Sequence, residues 1–293
     1  LQQEKQSFTI QMQKGKILTQ RHFNTKIFGE KHPYGRMANI DAYDHIHRDL
    51  LLDFHKENYQ IANWHILVSG KTTANTIAIL NKYFGLMERG DRNSIQPKLT
   101  LPSLSESANY FIEQKQAVQT SIKMGKLSIG RQHKDYPILS LTQTILGGYF
   151  GSRLMKNIRE DKGYTYGINS HISHQAQASV FSIGSDVGSE VANATLDEIK
   201  KELSLLSNEL VPANELKLVK NYMAGGLLRS LNGPFALGEM MRMIYDHQLP
   251  MNYFSQYISS VQAATSEDIL KSVRTHLQED QMISVMAGKQ EAN

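Results

Sequence analysis

The chain contains no cysteine. That absence excludes disulfides, thiolate zinc sites and a cysteine nucleophile, and it suits a reducing compartment, so a cytoplasmic location is expected over a periplasmic one. No apolar run approaches the roughly 18 to 20 residues that a membrane span needs. Residues 1–4 open no signal peptide, and the start reads as internal, without an initiator methionine. Dense basic runs are missing too: 32 basic against 28 acidic residues leave a net charge of +4, too weak and too scattered for a nucleic-acid binder. What remains is an ordinary globular composition, 40% apolar and 20% charged over 293 residues. That length is natural for two domains or two related halves.

The densest information lies in GGYFGSRLMKNIREDKGYTYG, residues 147–167. Gly147 and Gly148 permit a bend that side chains would forbid. Ser152 can cap a helix starting there, and Gly163 suits the left-handed residue that ends it. TYGINSHI then alternates like a strand. Arg159 near the helix end and Tyr166 at the strand start can therefore point their polar tips at one cleft, a geometry for gripping an extended backbone.

Along the rest of the chain, residues 41–59 carry a helical stripe at Ile46, Leu50, Leu51 and Phe54, with Asp41 or Asp44 near its start. NWHILVSGK (63–71) reads as a strand, and Thr72 or Thr73 can cap the helix that follows over 73–85. Residues 88–108 are polar, hold two prolines and read as a linker. Residues 109–127 read as extended, 137–148 as a helix and 179–187 as a strand. Helices are expected over 191–208, 213–231, 236–249 and 266–278, and a last strand over 282–289.

Two endings match. HRDLLLDFHKENYQIANWHILVSGK and SEDILKSVRTHLQEDQMISVMAGK each run helix, polar turn and apolar strand closed by Gly-Lys, at Gly70 and Gly288. This predicts two copies of one α+β unit of about 200 residues, the second nearly whole and the first represented by its end.

At these blocks the sequence resembles the pitrilysin and insulinase family of inverted zincins, zinc metallopeptidases built from duplicated α+β domains. The resemblance covers essentially the whole chain and is carried by 145–167, GEKHPYGR (29–36), 53–71 and VPANELKLVKNYMAGG (211–226), in the family's order. It implies an α+β fold, duplicated metallopeptidase-like domains each with a mixed or antiparallel sheet packed against helices. Residues 1–95 would be the later part of a first domain, 96–108 a linker and 109–293 a complete second domain of the type without metal ligands.

The family's chemistry needs H-x-x-E-H on a helix, where two histidines share a face to bind zinc and the glutamate works on the water. None of the eleven histidines lies in such a motif. Gln11 and Gln13 stand where a more distal zinc-ligating glutamate would fall. Zinc is therefore expected in a partner domain or subunit bearing H-x-x-E-H, in a homo- or heterodimer that handles a peptide substrate. Carried over by position, Arg159 and Tyr166 match the arginine and tyrosine that the second domain contributes to substrate across the cleft. A guanidinium bonds carbonyl oxygens, and a phenol donates to the developing oxyanion. The alternative is a catalytically inactive scaffold or peptide-binding homologue within an assembly, in which both residues are idle.

Other motifs weigh less. SGKTT (69–73) follows a predicted strand, but a phosphate loop needs glycine where His65 stands. His45 and His47, like His171 and His174, are spaced to face apart. His45 with Asp49 reads as a surface hydrogen bond before a weak metal pair. The methionines around 240–243 read as helix core, with a peptide-binding surface second, and the glycine pairs at 147 and 225 as turn or close-packing sites.

Overall fold

A computed structural model describes residues 1–59, 64–85, 99–102 and 107–290. Ahead of the sheet lie α1 (Gln2–Gln11), α2 (Gly15–Phe28), α3 (Arg48–Asn58) and α4 (Ala74–Leu80). Later come α5 (Tyr136–Gln143), α6 (Ala192–Asn208), α7 (Ala213–Ser230), α8 (Pro234–Asp246), α9 (Tyr253–Ala263) and α10 (Ser266–His276). The strands β1 (Ala108–Glu113), β2 (Gln119–Ser128), β3 (Thr165–His174), β4 (Ser179–Gly188) and β5 (Ile283–Gly288) form one mixed sheet in the order β1-β5-β2-β4-β3. β5 runs parallel to β1 and antiparallel to β2, and the β2–β4 and β4–β3 pairs are antiparallel. The fold is α+β.

The stretch 109–127 is thus two strands that are not neighbours, because the last strand of the chain inserts between them. The same insertion explains the composition of β5. Its six residues are all buried, and a strand flanked on both sides and covered on both faces has no polar face to alternate with. On one face α2 buries Phe23, Ile27 and Phe28 with Val180, Ile283 and Val285. On the other, Leu139, Leu146, Leu154, Ile158, Ile199 and Leu203 share the larger core with Ile122, Met124 and Ile183. At about 1.5 to 3 kcal/mol for each fully buried side chain, this second face supplies most of the hydrophobic stabilisation.

Several local expectations hold. Thr73 caps α4 in a reciprocal box with Thr76, and Thr265 caps α10 in the same way with Asp268. Helices form at all four expected places beyond residue 190. Others need correction. The helix over 41–59 is broken: a 3-10 turn (Ile40–His45) precedes α3, whose cap is the Nδ1 of His47, accepting from Leu50 N at 3.2 Å. α1, α2 and α9 were not foreseen, although Tyr253, Tyr257 and Val261 recur at helical spacing. Ser152 immediately precedes a helical turn, but its buried hydroxyl has no partner and caps nothing. The methionines of α8 are core only in part: Met241 is 38% exposed and Met240 and Met243 are half-buried, while Gly238 and Ile244 are the buried positions. A Cβ at Gly225 would meet nothing nearer than the Arg229 guanidinium at 3.4 Å, so that pair is not a close-packing site.

The largest departure is NWHILVSGK. Asn63 lies outside the described residues, and 64–69 join no ladder. Trp64, Ile66, Leu67 and Val68 stay exposed. A strand needs a neighbour for its N–H and C=O groups, and none lies alongside among the described residues. The segment instead touches α8, through Ser69 to the Pro234 carbonyl and His65 to the Tyr245 hydroxyl. The matched endings therefore differ in structure: β5 is a central strand, its counterpart is not. Most of 88–108 lies outside the described residues, and Ala108 already belongs to β1. α2, from the stretch assigned to the first unit, lies on the sheet formed by the second.

Candidate functional site

The site is built where α5 ends. The helix runs into a π-helical turn (Thr144–Gly148) in which Gly147 leaves helical geometry. A Cβ at Gly147 would sit 2.7 Å from both Ser170 N and Ser170 Oγ, so glycine is what lets the helix end approach β3. The approach is fixed by hydrogen bonds: Gln143 Nε2 donates to the Ser170 carbonyl at 2.6 Å, and Ser170 Oγ donates to the Gln143 carbonyl at 3.0 Å. The chain then forms a second π-helical segment (Met155–Asp161). Arg153 grips Glu215 of α7 with two 2.9 Å bonds, and Asn157 donates to Glu198 and Glu202 of α6 at 2.9 and 2.7 Å. The Asn157 amide, together with Lys162, holds the Glu198 carboxyl below the usual carboxylate range. Gly163, at φ 68°, closes the segment as a left-handed residue.

β3 begins with a β-bulge. Thr165 pairs with Val187 and Ile168 with Ser185, so β3 carries one residue more than β4 between those pairs. Hydroxyls stitch it: Thr165 Oγ1 donates to the Asp186 carbonyl at 2.8 Å, and Ser185 Oγ donates to the Gly167 carbonyl at 3.0 Å. Tyr166 sits in the bulge with its ring 93% exposed. Arg159 lies over Phe150, its guanidinium carbon 4.5 Å from the ring centroid. Among the described residues neither Arg159 nor Tyr166 makes a side-chain hydrogen bond or ion pair within the protein. Both donor ends are left available.

Beside them opens a cavity of ≈ 900 Å³ lined by Tyr149, Phe150, Gly167, His171, Lys123 and Asp186, among others. Phe150 and Gly167 line it directly. Neither Arg159 nor Tyr166 lines it: Arg159 packs on Phe150, and Tyr166 precedes Gly167 in the chain. Sequence reasoning missed the cavity's charged floor. Burial, reinforced by Lys16, lowers the Lys123 amine to about 8, and burial with the same two lysines lowers His171. Two charges, Lys123 and Lys126, stand on β2 among mostly buried neighbours. Lys126 is held by Gln278 and Gln281, whereas among the described residues Lys123 makes no hydrogen bond or ion pair and lies over the Phe23 ring, 5.6 Å away.

The histidine pairs singled out by spacing do not converge. His47 is a helix cap, and His174 bonds Tyr136 and Ser179, away from His171 at the cavity. Among the described residues no group of three His, Cys, Asp or Glu is placed to hold a metal ion, and no helix is long and apolar enough to cross a membrane.

A family model described as the peptidase M16 inactive domain matches residues 45–223. An uncharacterized zinc protease of Mycobacterium leprae (strain TN) is 24% identical over 212 residues, 71% of this chain and 47% of that protein. A probable inactive metalloprotease of Bacillus subtilis (strain 168) is 23% identical over 269 residues, 86% of this chain and 59% of that protein. The chain spans about half the length of these relatives. The crystal structure of a peptidase M16 inactive domain from Pseudomonas fluorescens superposes with a TM-score of 0.88 at 25% identity, covering 100% of this chain and 70% of that one.

Proposed function

The chain belongs to the peptidase M16 inactive-domain family, and on that premise we propose that it is the non-metal-binding part or subunit of a zinc-dependent endopeptidase, supplying Arg159, Tyr166 and a wall of the peptide chamber. The observation that carries the reading is the bulge at the start of β3, which holds Tyr166 outward, its hydroxyl without a partner among the described residues, one position before Gly167 in the lining of a cavity large enough for peptide side chains. The donor set does not fit zinc, since the described residues offer no three-ligand cluster. The metal would be held by an M16 domain bearing H-x-x-E-H. What this chain contributes is binding and charge stabilisation: the Arg159 guanidinium donates to substrate carbonyls, and Tyr166 O–H donates to the oxyanion that forms at the scissile carbonyl.

The chain alone is expected to show no peptidase activity and to gain it with a partner domain carrying H-x-x-E-H. In that reconstituted pair Tyr166→Phe lowers kcat roughly 10²-fold with KM little changed. Zinc-dependent cleavage by the purified chain alone, or an unchanged kcat in the variant, defeats the proposal.

A second reading, an inactive scaffold, draws on the exposed apolar residues of α3 and α4. Leu50, Leu51, Leu52 and Phe54, with Ile77 and Ile79, are 47% to 57% exposed, as expected of a surface made for a partner. A scaffold stabilises its assembly but restores no cleavage with any H-x-x-E-H partner.

A further inference from the structure

Arg131, in the loop between β2 and α5, carries a charge that the fold does not neutralise. Its Nε is buried without a hydrogen-bond partner, and among the described residues it forms no ion pair with a carboxylate. Around it stand neutral groups, among them the hydroxyls of Tyr136 and Tyr253, which accept from the guanidinium without neutralising it. The Tyr136 ring lies 5.6 Å from the guanidinium carbon. Burial and then the Arg131 charge hold His174 down to about 3, and the same two causes in the same order lower His247. The acids within reach are engaged elsewhere: Asp246 binds Arg242, and Asp135 accepts from His276. A partly buried cation among aromatic rings and neutral imidazoles is unfavourable unless an anion joins it.

Arg131 also borders a cavity of ≈ 560 Å³ between α5, α9 and the turn that joins α8 to α9. Two permanent cations line this space, Arg131 and Lys134, and no carboxylate does. Tyr253 lines it as well. That residue is only 8% exposed, and its buried hydroxyl sits beside the Arg131 guanidinium, which can only donate, so among the described residues its own O–H finds no acceptor. Gln248 and Gln256 add side-chain amides to the wall. Gln248 does so from a left-handed backbone, φ 50°, at the end of α8, where glycine or asparagine is the usual residue. Tyr257, Leu249, Pro137 and Pro250 add apolar surface to the lining.

We propose that this cavity binds a small organic anion, a carboxylate or a phosphate monoester with an apolar remainder, its oxyanion held by Arg131 and Lys134 with the Tyr253 hydroxyl as a neutral donor. The guanidinium fork matches either oxyanion, and the apolar wall takes the remainder. The site lies on different elements from Arg159 and Tyr166 and does not depend on the peptidase reading.

The test is calorimetric titration of the whole chain with acetate, inorganic phosphate, benzoate and phenyl phosphate. Benzoate or phenyl phosphate is expected to bind more tightly than the corresponding bare ion, and whichever pair binds identifies the source of the oxyanion. Tyr253→Phe, which deletes only the hydroxyl, should weaken binding about three- to tenfold, and Lys134→Gln, an exposed position, by a similar factor. Arg131→Gln should abolish it, with near-ultraviolet circular dichroism reporting the fold. No saturable binding by any of the four probes overturns the proposal, as does wild-type affinity in both Tyr253→Phe and Lys134→Gln.

Discussion

The Arg159 guanidinium carbon lies over the Phe150 ring, 4.5 Å from its centroid, and so ties the tip of the glycine turn to the helical segment that follows it. Phe150 is 65% exposed, so the contact orients the arginine more than it stabilises the fold. Exposed cation–π pairs contribute about 0.5 to 1 kcal/mol. In the reconstituted peptidase Phe150→Ala should lower kcat/KM about two- to fivefold while leaving the melting temperature unchanged. A loss confined to stability would show that the ring serves packing alone.

Gly147 allows the end of α5 to reach β3. Gly147→Ala places a methyl 2.7 Å from Ser170 N, which must push helix and strand apart at a cost of about 1 to 3 kcal/mol. Gly167→Ala is the control, because a Cβ there has open space. Urea denaturation of the two variants should separate them, and equal midpoints would contradict the close approach.

Lys123 is a half-buried amine with no carboxylate paired to it among the described residues. Its value falls from the ordinary lysine range to about 8 on folding, so between pH 8 and about 10.4 the unfolded chain binds more protons than the folded one. Stability therefore rises with pH through that window, and the penalty is fully present below it. Lys123→Met should stabilise the protein by about 1 to 3 kcal/mol at neutral pH, the gain shrinking toward pH 10. Thermal melts at pH 7 and pH 10 check both the sign and the window.

His174 behaves alike at acid pH. Burial, then Arg131 and His247, bring it down to about 3, so between about 6.5 and 3 the unfolded chain takes up a proton that the folded one refuses. Stability falls as pH drops through that window. His174→Gln keeps a polar partner for Tyr136 and should give a shallower fall in melting temperature between pH 7 and pH 4 than the wild type. Parallel curves would remove His174 from the acid response.

The residue pattern made the regular elements legible where spacing and caps agreed. The amphipathic stripes of α6 and α10, the Thr73 and Thr265 caps and the left-handed turn at Gly163 are local matters, set within a few residues. The strand at 63–71 failed because a strand's identity lies in its neighbour. α2 and α9 went unread though Thr19, Phe23 and Ile27, and likewise Tyr253, Tyr257 and Val261, recur every fourth residue. At the site, Arg159 and Tyr166 were visible through resemblance. Lys123, His171 and Arg131 were not, because a lone charged residue reads the same on a surface as over a cavity.

The sequence by itself determined the family, the α+β class, the lack of cysteine chemistry and the want of an H-x-x-E-H metal motif, because each follows from residue types and short spacings along one chain. Only the tertiary structure decided that β5 enters between β1 and β2, that a bulge turns Tyr166 outward, and that Arg131 and Tyr253 face one cavity whose lining holds no carboxylate. Those depend on sheet register and on which distant side chains fail to meet, and burial acts between residues far apart in the chain.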